Sequence, residues 1–73
     1  MTRSENRKEL RYTYRHNALN MYGKLIRDLT PKEVKVILDT MLEEFILFYP
    51  NETTKFFKEV FKREIKFALG GKT

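Results

Sequence analysis

Three polar residues near the N-terminus, Arg11, Thr13 and Arg15, have the types and the spacing of a surface that recognises a nucleic acid. They alternate with Leu10, Tyr12 and Tyr14. On an extended strand, alternate residues point to opposite faces, so the three polar side chains would share one face. Arginine can donate paired hydrogen bonds to a guanine edge, and threonine can contact a base or a thymine methyl group. We therefore interpret these three residues as candidate base-reading groups for double-stranded DNA.

A second set of residues is suited to contacts with backbone phosphates: Arg3, Arg7, Lys8, Thr30 and Lys32. The first three add to the basic N-terminal region, and the last two lie at the start of a predicted helix, where free amides favour anions. The chain has a net charge of +5, with 15 Lys and Arg against 10 Asp and Glu. Residues 1–30 and 51–73 are basic and residues 31–50 are acidic, and such basic surfaces attract polyanions.

The sequence offers little for catalysis or for metal binding. It has no Cys and one His, which excludes thiolate metal sites and histidine clusters. His16 has no Ser or Asp placed by the sequence to support it, and no glycine-rich phosphate loop is present. The carboxylate pairs Glu43-Glu44 and Glu59/Glu64 have no evident pocket. We predict no enzymatic activity, no metal, no cofactor and no small-molecule substrate.

Two segments in the second half of the chain have clear helical patterns. Thr30, Pro31 and Glu33 form a capping box at the start of a predicted helix over 31–48. Its apolar stripe consists of Val34, Leu38, Met41, Phe45 and Phe48. Pro50 ends this helix, and Asn51 is a suitable N-cap for another over 51–69, which Gly70-Gly71 terminates. Lys55, Lys58, Lys62 and Lys66 form a basic ridge on that helix.

Residues 9–29 fit two patterns. The alternation over 9–15 predicts a short β-strand, followed by a helix over about 18–29 with Asn17 as its cap. A helical period over the same region predicts one long first helix instead, with an apolar stripe of Leu10, Tyr14, Ala18, Met21, Leu25 and Leu29. We favour the strand, in a mainly α single domain over 1–73 with flexible residues at 1–8 and 71–73. The alternative is an all-α domain of three helices.

A strand so short would have exposed edges, so we expect it to pair with the same strand of a second copy. Small domains that lack disulfides and metals often oligomerise to enlarge the core, which favours a homodimer or a higher homo-oligomer. Its predicted core consists of Leu10, Tyr12, Tyr14, Val34, Leu38, Met41 and Phe45.

With its strand of outward Arg-x-Thr-x-Arg residues followed by two helices, the segment 9–48 resembles the ribbon-helix-helix family of DNA-binding regulators. The resemblance implies that Arg11, Thr13 and Arg15 read bases in the major groove and that Thr30 to Lys32 hold a phosphate. The sequence departs from the family pattern in two ways. The turn over 27–30 lacks the usual glycine, and the helix over 51–69 is additional.

The sequence thus predicts a small homodimeric protein that binds double-stranded DNA, and we interpret it as a transcriptional regulator. One alternative is a helix-turn-helix DNA-binding protein centred on residues 49–52, with Thr53, Lys55, Lys58 and Lys62 in the groove. Another is a helical interaction module that binds a protein, for example through helix 51–69, and no nucleic acid. No apolar run approaches the length of a membrane span, and no signal peptide is evident, so we expect no membrane association and a cytoplasmic location.

Overall fold

The first element, α1, is a helix over Arg3–Tyr22 in a computed structural model that describes residues 2–70. It is followed by a 3-10 turn over Ile26–Asp28 and then by the helices α2, α3 and α4, over Pro31–Phe48, Thr54–Val60 and Lys62–Ala68. The described part of the chain contains no strand. The predicted strand over 9–15 and the ribbon between two copies are therefore wrong, and the alternative of an all-α domain with a long first helix fits.

Local signals at both ends explain why α1 is a helix. The Thr2 side chain accepts a hydrogen bond from the Glu5 backbone N–H, and the Glu5 side chain accepts one from the Thr2 backbone N–H. One face then buries Asn6, Leu10, Tyr14 and Ala18, spaced four residues apart. At the other end Gly23 adopts φ 63°, and its N–H bonds the carbonyls of Ala18 and Leu19. Residues 3–8, which were expected to be flexible, form the start of this helix, whereas residues 71–73 lie outside the described part.

The connection between α1 and α2 also differs from the prediction. The helix expected over 18–29 does not exist as a unit, because residues 18–22 complete α1 and only residues 26–28 form a helical turn. Leu29, at the end of this connection, is buried against the core. Lys24 donates to both carboxylate oxygens of Glu33 at 3.0 and 2.9 Å, which fastens the connection to the first turn of α2.

α2 confirms the predicted helix over 31–48. Thr30 accepts a hydrogen bond from the Glu33 N–H, Pro31 occupies the first turn, and the Glu33 carboxylate accepts from the Thr30 N–H. The hydrogen bonds and the nearby Lys24 ammonium lower the pKa of Glu33. The buried face consists of Val34, Ile37, Leu38, Met41 and Phe45, whereas Phe48 is 72% exposed.

The predicted single helix over 51–69 is divided in two. The N-cap of α3 is Thr53, whose side chain accepts from the Phe56 N–H, and not Asn51. The helix is interrupted at Phe61, which has φ −108° and ψ 27° and is fully buried. Phe61 and Phe57 pack with ring centroids 4.9 Å apart in a tilted arrangement. Burial of Phe61 thus anchors the point at which the two short helices meet.

The core lies within one chain. Six of the seven residues predicted to form a dimer core are buried here without a second copy: Leu10, Tyr14, Val34, Leu38, Met41 and Phe45. Tyr12 is the exception: it is 67% exposed and stacks on His16 with ring centroids 6.1 Å apart. No helix in residues 2–70 has both the length and the apolar composition required to cross a membrane.

Candidate nucleic-acid interface

The predicted base-reading residues do not form a common surface. On α1, successive residues are about 100° apart, so Thr13 points about 160° away from Arg11 and from Arg15. The Thr13 hydroxyl donates to the Glu9 carbonyl at 2.9 Å, within its own helix. The geometry by which a ribbon would present these three residues to a groove is absent from residues 2–70.

Arg11 holds the interrupted helix in place. Its guanidinium lies 3.0 Å from a Glu64 carboxylate oxygen and donates to the Val60 carbonyl at 3.4 Å. It also lies over the rings of Phe61 and Tyr14, at 5.5 and 5.9 Å from their centroids. Because Val60 is the last residue of α3, this contact provides a donor near the end of the helix. Arg11 therefore joins α1 to the point where α3 and α4 meet.

Arg3 forms the same two kinds of contact, an ion pair and a cation–π contact. It lies 3.2 Å from a Glu52 carboxylate oxygen and 5.0 Å over the ring of Phe56. Arg3 thus connects the start of α1 to the segment that leads into α3. Lys24 and Lys35 are also paired, with Glu33 and Asp39 respectively.

The remaining predicted DNA contacts lie on α1 and at the start of α2. Arg7, Lys8 and Arg15 are exposed on α1, and Lys32 is exposed on the first turn of α2. The Thr30 hydroxyl is used as the N-cap of α2. None of the four cations has an ion pair within residues 2–70.

Four exposed lysines lie along the segment that forms α3 and α4. We call these residues the lysine ridge; they are Lys55, Lys58, Lys62 and Lys66. All four are exposed, and none forms an ion pair within the described residues. Lys55 and Lys66 are eleven positions apart, so at about 1.5 Å per helical residue the ridge extends for about 16 Å along the two helices that meet at Phe61. Glu59 is the one exposed acidic residue among them.

The helix-turn-helix alternative places α3 in the role of the groove-reading helix. α2 and α3 do follow each other across a turn over 49–53, and Lys55, Lys58 and Lys62 are exposed as that alternative requires. However, α3 has only seven residues before the interruption at Phe61. A straight recognition helix over 51–69 is therefore not available.

The sequence analysis missed a cleft between α1 and the C-terminal half of α2. We call it the acidic cleft; it has a volume of about 600 Å³. Its lining includes Glu9, Glu44 and Glu52 and contains no Lys, Arg or His. The Tyr49 hydroxyl donates to Glu9, and partial burial together with this hydrogen bond raises the pKa of Tyr49 to about 12. A signal was present in the sequence, since residues 36–54 contain four acidic residues and no cation.

Residues 2–70 contain no group of three or more His, Asp or Glu side chains that could hold a metal ion. Comparison with known proteins found no protein-family model, no curated protein and no solved structure that matches this chain.

Proposed function

We propose that this protein binds duplex DNA through contacts between the lysine ridge and the phosphate backbone. The observation that carries the proposal is that the four ridge lysines, on the consecutive helices α3 and α4, are all exposed and have no ion pair within residues 2–70. By contrast, Arg3, Arg11, Lys24 and Lys35 are each paired with a carboxylate. Unpaired cations can release the counterions of a polyanion without first breaking contacts within the protein.

The dimensions of the ridge are suited to this role. B-DNA carries one charge per about 1.7 Å of helix axis, so about 16 Å of ridge faces about ten phosphate charges. The ridge side chains are lysines, which act as point charges on flexible stems and are less suited than arginine to paired contacts with bases. We therefore expect binding with little dependence on base sequence.

The transcriptional role predicted from the sequence remains a part of this proposal. The predicted cytoplasmic location also remains a part of it. That role requires a preference among base sequences, which phosphate contacts alone do not supply. A measured preference would point to additional base contacts beyond the ridge. The proposal is of a binding protein and not of an enzyme.

The test is a titration of duplex DNA by fluorescence anisotropy at several salt concentrations. Four phosphate contacts predict that log K falls with log[salt] with a slope of about −3.6. The double variant Lys62→Glu/Lys66→Glu removes two of these contacts and is expected to reduce the slope to about −1.8 and to weaken binding to every duplex alike. Competition with duplexes of different sequence measures base preference in the same assay.

Two control variants locate the surface. Lys32→Glu makes the same kind of charge change on an exposed residue of α2. It is expected to weaken DNA binding less than Lys62→Glu or Lys66→Glu alone. Lys8→Glu/Arg15→Glu changes two exposed cations of α1, matching the double ridge variant in charge. If the α1 variant loses binding while the ridge variant retains it, the ridge is not the contact surface. Absence of binding by the wild-type protein at low salt would refute DNA binding altogether.

A further inference from the structure

The acidic cleft combines an apolar floor with carboxylates at its rim. Leu10, Met41 and Phe45 are buried at its base, and Phe48 lines it while remaining 72% exposed. An aromatic ring of this size left in water is a surface that association can cover. The cleft therefore has an uncovered apolar component as well as a negative charge.

The carboxylates at the rim differ in the hydrogen bonds and ion pairs that they form. Glu52 accepts from Arg3 and from Asn6, and Glu9 accepts from Tyr49. Glu44 is exposed and has no hydrogen bond or ion pair within residues 2–70. Since no cation lines the cleft, an incoming positive charge would meet attraction from both of its walls.

A lysine side chain matches this combination. Its four-carbon stem can cover apolar surface while its ammonium group remains at the edge, near carboxylates and water. A row of lysines would thus place stems against the exposed ring of Phe48 and ammonium groups beside Glu44 and Glu9. The same chain presents such a row, the lysine ridge, and none of the ridge residues lines the cleft.

We propose that the lysine ridge of a second copy docks into the acidic cleft. The argument is charge complementarity between two separate surfaces of one chain, with an apolar floor suited to lysine stems. The inference stands apart from DNA binding, because it concerns the protein alone. If both hold, each docked ridge is unavailable to DNA, and the two processes compete.

The contact joins two different surfaces, so it is head-to-tail. Each complex then has one free cleft and one free ridge, and association continues to larger species unless the rotation between copies closes a ring. The net charge of +5 makes copies repel one another at long range, whereas the docked surfaces attract at short range. Association is therefore expected to be strongest at intermediate ionic strength.

Sedimentation equilibrium of the full chain without DNA tests the proposal. Wild-type protein is expected to show reversible, concentration-dependent growth in mass. Glu44→Lys is expected to weaken this association by about tenfold or more, which corresponds to the loss of one favourable charge contact and its replacement by a repulsive one. Glu43→Lys is the matched control, because Glu43 is an exposed neighbour on α2 that does not line the cleft. Far-UV circular dichroism verifies that each variant is folded.

Mixing variants identifies the occupant. Lys62→Glu has an altered ridge and an intact cleft, and Glu44→Lys has the reverse, so each alone is expected to associate weakly. Mixed together, the intact ridge of one can dock into the intact cleft of the other, and association is expected to return. The proposal is overturned if wild-type protein stays monomeric at every concentration and salt level, if Glu43→Lys weakens association as much as Glu44→Lys, or if the mixture fails to associate.

Discussion

Replacement of Arg11 by methionine is expected to destabilise the fold strongly, although Arg11 is partly exposed. The Glu64 side chain is only 13% exposed, and one of its oxygens is buried without a hydrogen-bond partner, so its charge depends on Arg11. A hydrogen bond to a charged group contributes about 1.5–3 kcal/mol, and the cation–π contacts add about 0.5–1 kcal/mol. The contact with the Val60 carbonyl is long, at 3.4 Å, and adds little. Because the Arg11 side chain is 44% exposed, solvent screens the ion pair and we expect a loss near 2 kcal/mol.

Urea denaturation followed by circular dichroism measures this loss. With a slope of about 1 kcal/mol per molar urea for a small protein, the midpoint is expected to fall by about 2 M. Arg15→Met is the matched control, since Arg15 lies one turn further along α1, is exposed and has no ion pair within residues 2–70. Its effect is expected to stay within about 0.5 kcal/mol.

A second substitution tests the cause. Glu64→Gln in the Arg11→Met background removes the unpaired buried charge and is expected to recover about 1 kcal/mol. Equal midpoints for Arg11→Met and Arg15→Met would show that Arg11 does not hold the helices together. The ribbon hypothesis instead placed Arg11 among the residues that read bases, so it predicted an effect of this substitution on DNA binding.

Three other predictions concern the caps and the tyrosines. Thr30→Ala removes the N-cap of α2 and is expected to lower the free energy of unfolding by about 1 kcal/mol in the same urea assay. Gly23→Ala meets no atom within 4 Å but forces a side chain into the left-handed region, so a loss of about 1 kcal/mol is expected from backbone strain alone. Burial raises the pKa of Tyr14 and of Tyr49 to about 12, above the value of about 10 in an unfolded chain. The folded state therefore retains these protons more tightly, and this stabilisation is complete below about pH 10 and is lost as the pH rises towards 12. Urea midpoints measured across that range are expected to fall less steeply in Tyr49→Phe than in the wild-type protein.

The sequence predicted the elements whose signals are local. The capping box around Thr30 and the apolar period that follows it specify α2 without reference to the rest of the chain. The strand prediction failed because residues 9–15 satisfy both a two-residue and a four-residue period. What decides between them lies outside that segment. The capping box of Thr2 with Glu5 and the left-handed Gly23 both favour one continuous helix, and this helix buries Leu10 and Tyr14 without a partner chain.

The candidate surfaces were predicted less completely than the helices. The lysine ridge is visible in the spacing of its residues, because exposure on a helix follows from period. The roles of Arg3 and Arg11 were not visible, since each depends on a partner 49 residues away in the chain. The acidic cleft requires the start of α1 to lie beside the end of α2, as the Glu9–Tyr49 contact shows, and no local pattern specifies this arrangement.

The long separation between Arg11 and Val60, and between Arg3 and Glu52, has a consequence for synthesis on the ribosome. α1 is translated well before the residues that it contacts through these arginines. Most of the stability of a helix in a protein comes from packing of its apolar face, and the Tyr14 ring of α1 packs on Phe61, which is translated 47 residues later. The core can be completed only after α3 and α4 have emerged from the ribosome. The fold therefore forms late in the translation of this segment.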